Sequence, residues 1–264
     1  MRFTIRRLHR LDEFKRCEEL QKESWGFDDL DIVPAPMFVV GAKYGGIVLG
    51  GFESVNGRMV GFVYSLPAVL EGRSIQYSHM LAVEPEYRRH GIGLQLKIAQ
   101  GRESVKLGYE TIAWTFDPLQ ARNANLNLHR LGAVTHDYLV NVYGETSSPL
   151  HRGLQTDRVL ARWRPGLKRE ERTLPSRLVV EGLPVLGSVA RRPDLRRLLA
   201  FRVPIPTSID HLKSSPSGDA AADQRRVRAL FTRAFKAGFE AVDFELGERD
   251  GLGYYLFTRR EIDG

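Results

Sequence analysis

The segment Glu84-Pro85-Glu86-Tyr87-Arg88-Arg89-His90-Gly91-Ile92-Gly93-Leu94 is the part of this chain best equipped for chemistry. Met80-Leu81-Ala82-Val83 precede it as the end of an apolar strand, and Pro85 stops the pairing because proline cannot donate to a ladder. Two glycines then open a helix. The first N–H groups of a helix have no internal partner and lie at the positive end of its dipole, so they can hold an anion. Glycine at 91 and 93 lets the main chain approach a pyrophosphate without a Cβ in the way. Arg88 and Arg89 add positive charge, and His90, Ile92 and Leu94 complete the turn.

Groups able to move protons lie nearby. Tyr77 and His79 belong to the same strand, and simple alternation points both the same way as Leu81. An imidazole can take a proton from an ammonium near neutral pH. A core histidine bonded to the backbone explains His79 equally well. Glu53, at the end of an earlier strand, is a weaker candidate base, since exposure is the default for glutamate. Tyr143 and Tyr138 are candidate acids. His129, His136 and His151 show no metal-ligand spacing, and the single Cys17 excludes a disulfide framework or a cysteine zinc cluster. No metal is expected.

A dinucleotide fold is excluded, because a third glycine and an N-terminal βαβ unit are both missing. The string Arg88-x-x-Gly91-x-Gly93, following Leu81-Ala82-Val83-x-Pro85-x-Tyr87, instead closely resembles the acyl-CoA-binding motif of the GNAT superfamily of N-acyltransferases. The resemblance implies that amides 89–93 hold the CoA pyrophosphate and that Leu81, Ala82 and Val83 pair with the pantetheine arm. It also implies that an amide at Leu81 or Ala82 stabilises the oxyanion. The second CoA contact in that family is an Asn near the start of the next helix, here Asn123 or Asn125; helix capping is the competing reading. The family's acid, a Tyr four residues before the glycine closing that helix, is replaced by Leu128. Arylalkylamine acetyltransferases similarly carry His at positions 77 and 79, of which this chain matches one.

The elements that must position these groups follow from periodicity. Strands are expected at 2–8, 46–53, 59–66, 74–83, 110–116, 138–143 and 157–163. Helices are expected after Asp12, over 94–107 with Leu94, Ile98, Gly101 and Val105 on one face, and at 124–131. Asn56-Gly57 reads as a hairpin turn. The order predicts an α/β fold, a mixed and mainly antiparallel sheet flanked by helices, over residues 1–165. Residues 166–264 read as an α/β extension. It has a proline-containing connector at 166–190, a strand at 198–205, a loop at 214–218, a helix at 223–237 and a hairpin over 239–258. Lys106–Ile112 echoes Lys236–Val242, each at a helix-to-strand junction. The aromatics Tyr109, Trp114 and Phe116 read as core.

The totals agree with a cytoplasmic globular protein. It has 264 residues, 42% hydrophobic, without a signal peptide or an apolar run of membrane length. Its charge of +7 favours anionic partners but does not choose among nucleic acid, membrane and a phosphorylated cofactor. Basic residues are not interleaved with aromatics, so nucleic acid is not expected. The expected function is transfer of an acyl group, by default acetyl from acetyl-CoA, to a small-molecule amine or peptide in a ternary complex. The extension would cover the acceptor, complete a homodimer, or both. The alternative is a non-catalytic acyl-CoA sensor, to which Leu128 lends weight.

Overall fold

The computed structural model describes residues 1–144, 154–166, 182–187, 194–208, 220–247 and 251–260. The loop expected at 214–218, most of the 166–190 connector, turn residues 248–250 and His151 lie outside them. The chain divides into two compact units, one of residues 1–114 with 164–166 and one of the remaining described residues from 115 onward. The sequence reading draws its boundary at 165. The units divide earlier because strand residue Thr135 pairs with Ala241, which ties residues after 115 to the C-terminal elements.

The first unit runs β1 (Phe3–Arg7), α1 (Leu11–Trp25), α2 (Ala35–Lys43), β2 (Ile47–Glu53), β3 (Met59–Leu70), β4 (Arg73–Val83), a 3₁₀ turn (Pro85–Tyr87) and α3 (Ile92–Lys106). It ends in β5 (Ile112–Phe116), whose last two residues belong to the second unit. Strand order is β1-β2-β3-β4-β5, antiparallel except for β4 and β5. That pair is parallel because α3 carries the chain across between them. One face of the sheet packs Phe14, Cys17, Leu20, Phe38, Phe62, Tyr64 and Met80 beneath α1 and α2. The other packs Ile47, Leu49, Val63, Ile92 and Leu96 against α3. Gly51 lets α3 settle there, since a Cβ at 51 would lie 2.8 Å from Ile92 Cδ1.

The second unit holds α4 (Ala121–Ala124), a π-helical turn (Asn125–Arg130), β6 (Val134–Leu139), β7 (Arg158–Trp163), β8 (Ala200–Pro206), α5 (Ala220–Lys236), β9 (Phe239–Leu246) and β10 (Leu252–Arg259). Its strand order is β7-β6-β9-β10-β8, all antiparallel. Phe231 of α5 meets Tyr255 and Phe257 of β10 edge-on, each at 4.9 Å between centroids. Asp157 accepts bonds from Tyr138 Oη at 2.7 Å and Arg228 Nε at 2.8 Å, joining β6 and α5. The echoed junctions share local geometry: Gly108 and Gly238 both have positive φ, and each donates to the carbonyl three residues back.

Several local expectations are revised. The Asn56-Gly57 hairpin is a longer loop: only Gly57 has positive φ, and its N–H bonds the carbonyl of Glu53, four residues back. Helix α1 starts at Leu11 rather than after an Asp12 cap, because the Glu13 carboxylate reaches back to the amides of His9 and Arg10 at 3.0 and 3.1 Å. The strand expected at 138–143 lies at Val134–Leu139. Of the stripe expected on α3, Ile98 and Val105 are exposed, Leu94 is half-buried and Gly101 is buried, while Lys97, Gln100 and Ser104 are buried beside it. Trp114 and Phe116 are buried as expected, but Tyr109 precedes β5 and is half-buried.

Glu84, 3% exposed, closes the end of β4. Its carboxylate pairs with Arg16 of α1 and with Arg58 at 2.9 Å. Glu84→Ala leaves the half-buried Arg16 without this partner and should lower unfolding free energy by about 1–3 kcal/mol. Urea denaturation followed by circular dichroism measures this, and a change within about 0.3 kcal/mol would show that the pair contributes nothing.

Candidate acyl-CoA site

Strand β4 pairs with β5 only at Gln76↔Ile112 and Tyr77↔Ala113. From Ser78 to Val83 it continues without that neighbour, so the strand presents an unpaired main-chain edge. On its other side β4 stays paired with β3, and the register slips between Tyr64↔Met80 and Ser65↔Ser78. His79 is the extra residue of this bulge. A bulge places two successive side chains on one face. His79 accordingly lies 6.2 Å from the Tyr64 ring, on the face of α1 and α2, while Leu81 packs on the face of α3. The expectation that His79 and Leu81 point the same way is therefore overturned, because a bulge breaks the period of two.

The turn after β4 has the properties an anion site needs. Arg89 has φ of 70° and Gly91 φ of 79°. At Gly91 that conformation, rather than crowding, requires glycine, since a Cβ there would meet nothing within 4 Å. At Gly93 a Cβ would make only ordinary contacts, 3.9 Å from Leu81 and 4.0 Å from Val83. It would lie beside the side chains of the unpaired stretch of β4. Among the described residues, the amides of 89–94 have no hydrogen-bond partner, and Gly91 caps α3 without a side-chain bond. Six donors without a partner among the described residues thus lie at the positive end of a fifteen-residue helix.

Arg88 stabilises this turn from within: its Nε donates to the Val83 carbonyl at 3.2 Å and a terminal nitrogen to the Ser24 carbonyl at 3.0 Å. Arg88, Arg89 and His90 are all exposed beside the amides, and Arg89 adds a cation there. Glu53 also acts on the turn. Its Oε2 accepts from Tyr87 Oη at 2.9 Å and from Asn56 at 2.7 Å, and Tyr87 closes the 3₁₀ turn before the amides. Glu53 is therefore placed to hold Tyr87, away from His79 on β4.

His79 is open to solvent on one side and walled by Tyr64 and by Tyr77, 6.5 Å away. Partial desolvation lowers its pKa and so favours the neutral ring. Tyr138 cannot readily give up its proton, because burial and the hydrogen bond to Asp157 push its pKa up. Tyr143 Oη bonds Thr115 Oγ1 at 3.1 Å and lies outside any strand. Asn123 and Asn125 belong to the second unit and neither caps a helix N-terminus, because α4 begins earlier, after Gln120; Asn125 stands at its C-terminal end. Leu128 is buried. A further group had no signal in the sequence: Lys97 of α3 is 2% exposed and bonds Ser78.

No family model and no curated protein matches the chain. Solved structures do. YncA of Salmonella typhimurium, solved with its cofactor acetyl-CoA, superposes with a TM-score of 0.50 at 16% identity, covering 66% of this chain and all of YncA. The ribosomal-protein-S18-alanine N-acetyltransferase of Escherichia coli gives 0.48 at 18% identity, over 66% of this chain and all of that one. The NatC complex bound to Gag peptide and CoA gives 0.49 at 15%, over 62% and 99%. The chain has the GNAT fold, in agreement with the mixed sheet expected from its sequence.

If His79 is the base, it must be neutral to act. Activity then rises with pH through its lowered pKa and is flat at neutral pH. His79→Ala should remove the limb below about pH 6.5. An unchanged pH profile of kcat/KM would exclude His79.

Proposed function

We propose that this chain is an N-acyltransferase that moves an acyl group, acetyl by default, from acyl-CoA to an amine in a ternary complex. The observation that carries this reading is the junction of two unpaired sets of main-chain groups, amides 89–94 and the edge of β4 from Ser78 to Val83. The first set suits a diphosphate. The second suits an extended amide-containing arm, which would add to the sheet as a strand does. An amide at Leu81 or Ala82 would then face the thioester carbonyl and stabilise the charge that develops on it. His79, with Tyr77 beside it, is the base candidate this reading retains.

In this reading residues 1–165 perform the transfer, and 166–264 select the acceptor or pair two copies. The acceptor is a small-molecule amine or a peptide amine. One observation favours the sensor alternative: Leu128, where the resemblance places an acid, is buried and apolar.

Thiol release from acetyl-CoA with a panel of amines and peptides decides between the two. Turnover supports the transferase, and CoA binding without thiol release for any acceptor supports the sensor. Gly93→Ala adds a Cβ at ordinary contact distance from Leu81 and Val83, where the main chain would meet the diphosphate, and should weaken CoA about tenfold at an unchanged melting temperature. Unaltered affinity by calorimetry would remove the site.

A further inference from the structure

Helix α5 turns Gln224, Val227, Phe231 and Ala234 to the core of the second unit. Its opposite face carries four cations, Arg225, Arg228, Arg233 and Lys236, which line a groove of about 560 Å³. In helical order the small side chains Ala229 and Thr232 fall between the first two cations and the last two. Val140, 52% exposed just past β6, lines the groove with them. No carboxylate is among the described residues lining it. Arg225 with Arg228, and Arg233 with Lys236, are like charges three residues apart, which repel on a helix. Arg228 is fixed in place by Asp157, 1% exposed, which accepts from its Nε at 2.8 Å and its Nη2 at 2.9 Å. Its Nη1 has no partner among the described residues. The face is one that a negative guest with an apolar tip would stabilise.

The chain itself carries a segment of that chemistry, between α1 and α2 of the first unit. Asp28, Asp29, Leu30 and Asp31 form a turn closed by the Asp31 N–H on the Asp28 carbonyl at 3.0 Å. Leu30 at its tip is 98% exposed and is flanked by the three carboxylates. The turn is held at both ends. Phe27 packs on Trp25 with 5.3 Å between ring centroids, and the buried Gln21 side chain bonds both the N–H and the carbonyl of Val33, at 2.7 and 3.0 Å. Lys22 pairs with Asp29. A leucine presented so fully on an anchored turn gains nothing in its own unit. The sizes match as well. A β-turn is less than about 7 Å across at its ends. The stripe from Arg225 to Lys236 runs about 16 Å along α5, at about 1.5 Å per residue.

We propose that the α5 groove receives the Asp28–Asp31 turn of a second copy of this chain. Leu30 sits over Ala229, Thr232 and Val140, and the carboxylates of the turn meet the four cations around them. Each copy has one turn and one groove, so a two-fold pair uses the contact twice and closes at two copies. The charges set the partner and the speed of encounter, and burial of Leu30 slows separation. This inference is independent of the acyl-CoA reading, since neither the turn nor the groove includes a residue of that site.

Sedimentation velocity on the full chain tests this. Wild type should form dimers at low salt and dissociate as salt approaches about 1 M, where charges are screened beyond about 3 Å. Leu30→Ser should raise the dimer Kd about tenfold, the effect of exposing one leucine again. Asp28→Lys with Asp31→Lys reverses the turn, and Arg225→Glu with Lys236→Glu reverses the groove. All four positions are exposed, so both variants should melt as wild type does. Each variant alone should be monomeric. Mixed in equal amounts they should pair, because the reversed turn then meets the reversed groove while the native turn meets the native groove. Three results would overturn the proposal: a monomeric wild type at low salt, a dimer indifferent to both reversals, or two monomeric variants that do not pair when mixed. A monomeric wild type that instead holds a labelled acidic peptide or single-stranded oligonucleotide through Arg225 and Lys236 would give the groove to another partner, and would overturn it too.

Discussion

The candidate site depends on β4 parting from β5 after Tyr77↔Ala113. A parallel pair that continued to Val83 would satisfy the donors and acceptors of that edge and leave no room for an extended guest. Because the pair stops, six residues of main chain keep their hydrogen-bonding capacity on one side while β3 holds them straight on the other. The bulge at His79 belongs to the same device. It assigns Ser78 and Leu81 to the face of α3 and turns His79 to the opposite face, where an acceptor's proton could be taken.

Side chains around the anion turn act mainly by holding backbone in place. Arg88 ties β4 to the end of α1, Glu84 is clasped by Arg16 and Arg58, and Glu53 holds Tyr87. Each spans two elements, and together they fix a turn whose own donors point at nothing in the protein. The arrangement is consistent with a site that recognises a diphosphate by amide geometry and helix dipole, with charge as a supplement.

Within α3, two requirements compete. Ile92 and Leu96 anchor its first turns against the sheet at Gly51, each contributing about 2 kcal/mol by burial. Past Leu96 the buried positions include the polar side chains of Lys97, Gln100 and Ser104. Such a helix is stable only if neighbouring packing outweighs the desolvated amine. The separate cores on either face of the first unit's sheet supply that packing.

The anion turn and the mixed sheet were legible in the sequence because both are written locally. Pro85, Gly91 and Gly93 restrict backbone geometry over a few residues, and alternating or helical periodicity marks the elements around them. The roles of Glu53, Arg88 and Lys97 were not, since each depends on a residue brought near by tertiary folding: Tyr87 is 34 positions from Glu53, Ser24 is 64 from Arg88, and Ser78 is 19 from Lys97. Part of the inward face of α3, at Lys97, Gln100 and Ser104, was missed because hydrophobic periodicity assumes that a helix buries its apolar side. Sequence by itself determined where a helix starts after a strand and that its first amides are bare. Only the tertiary structure decided which strand edge lies beside them and which way His79 turns, because pairing register and bulges depend on the partner strand and not on the strand itself.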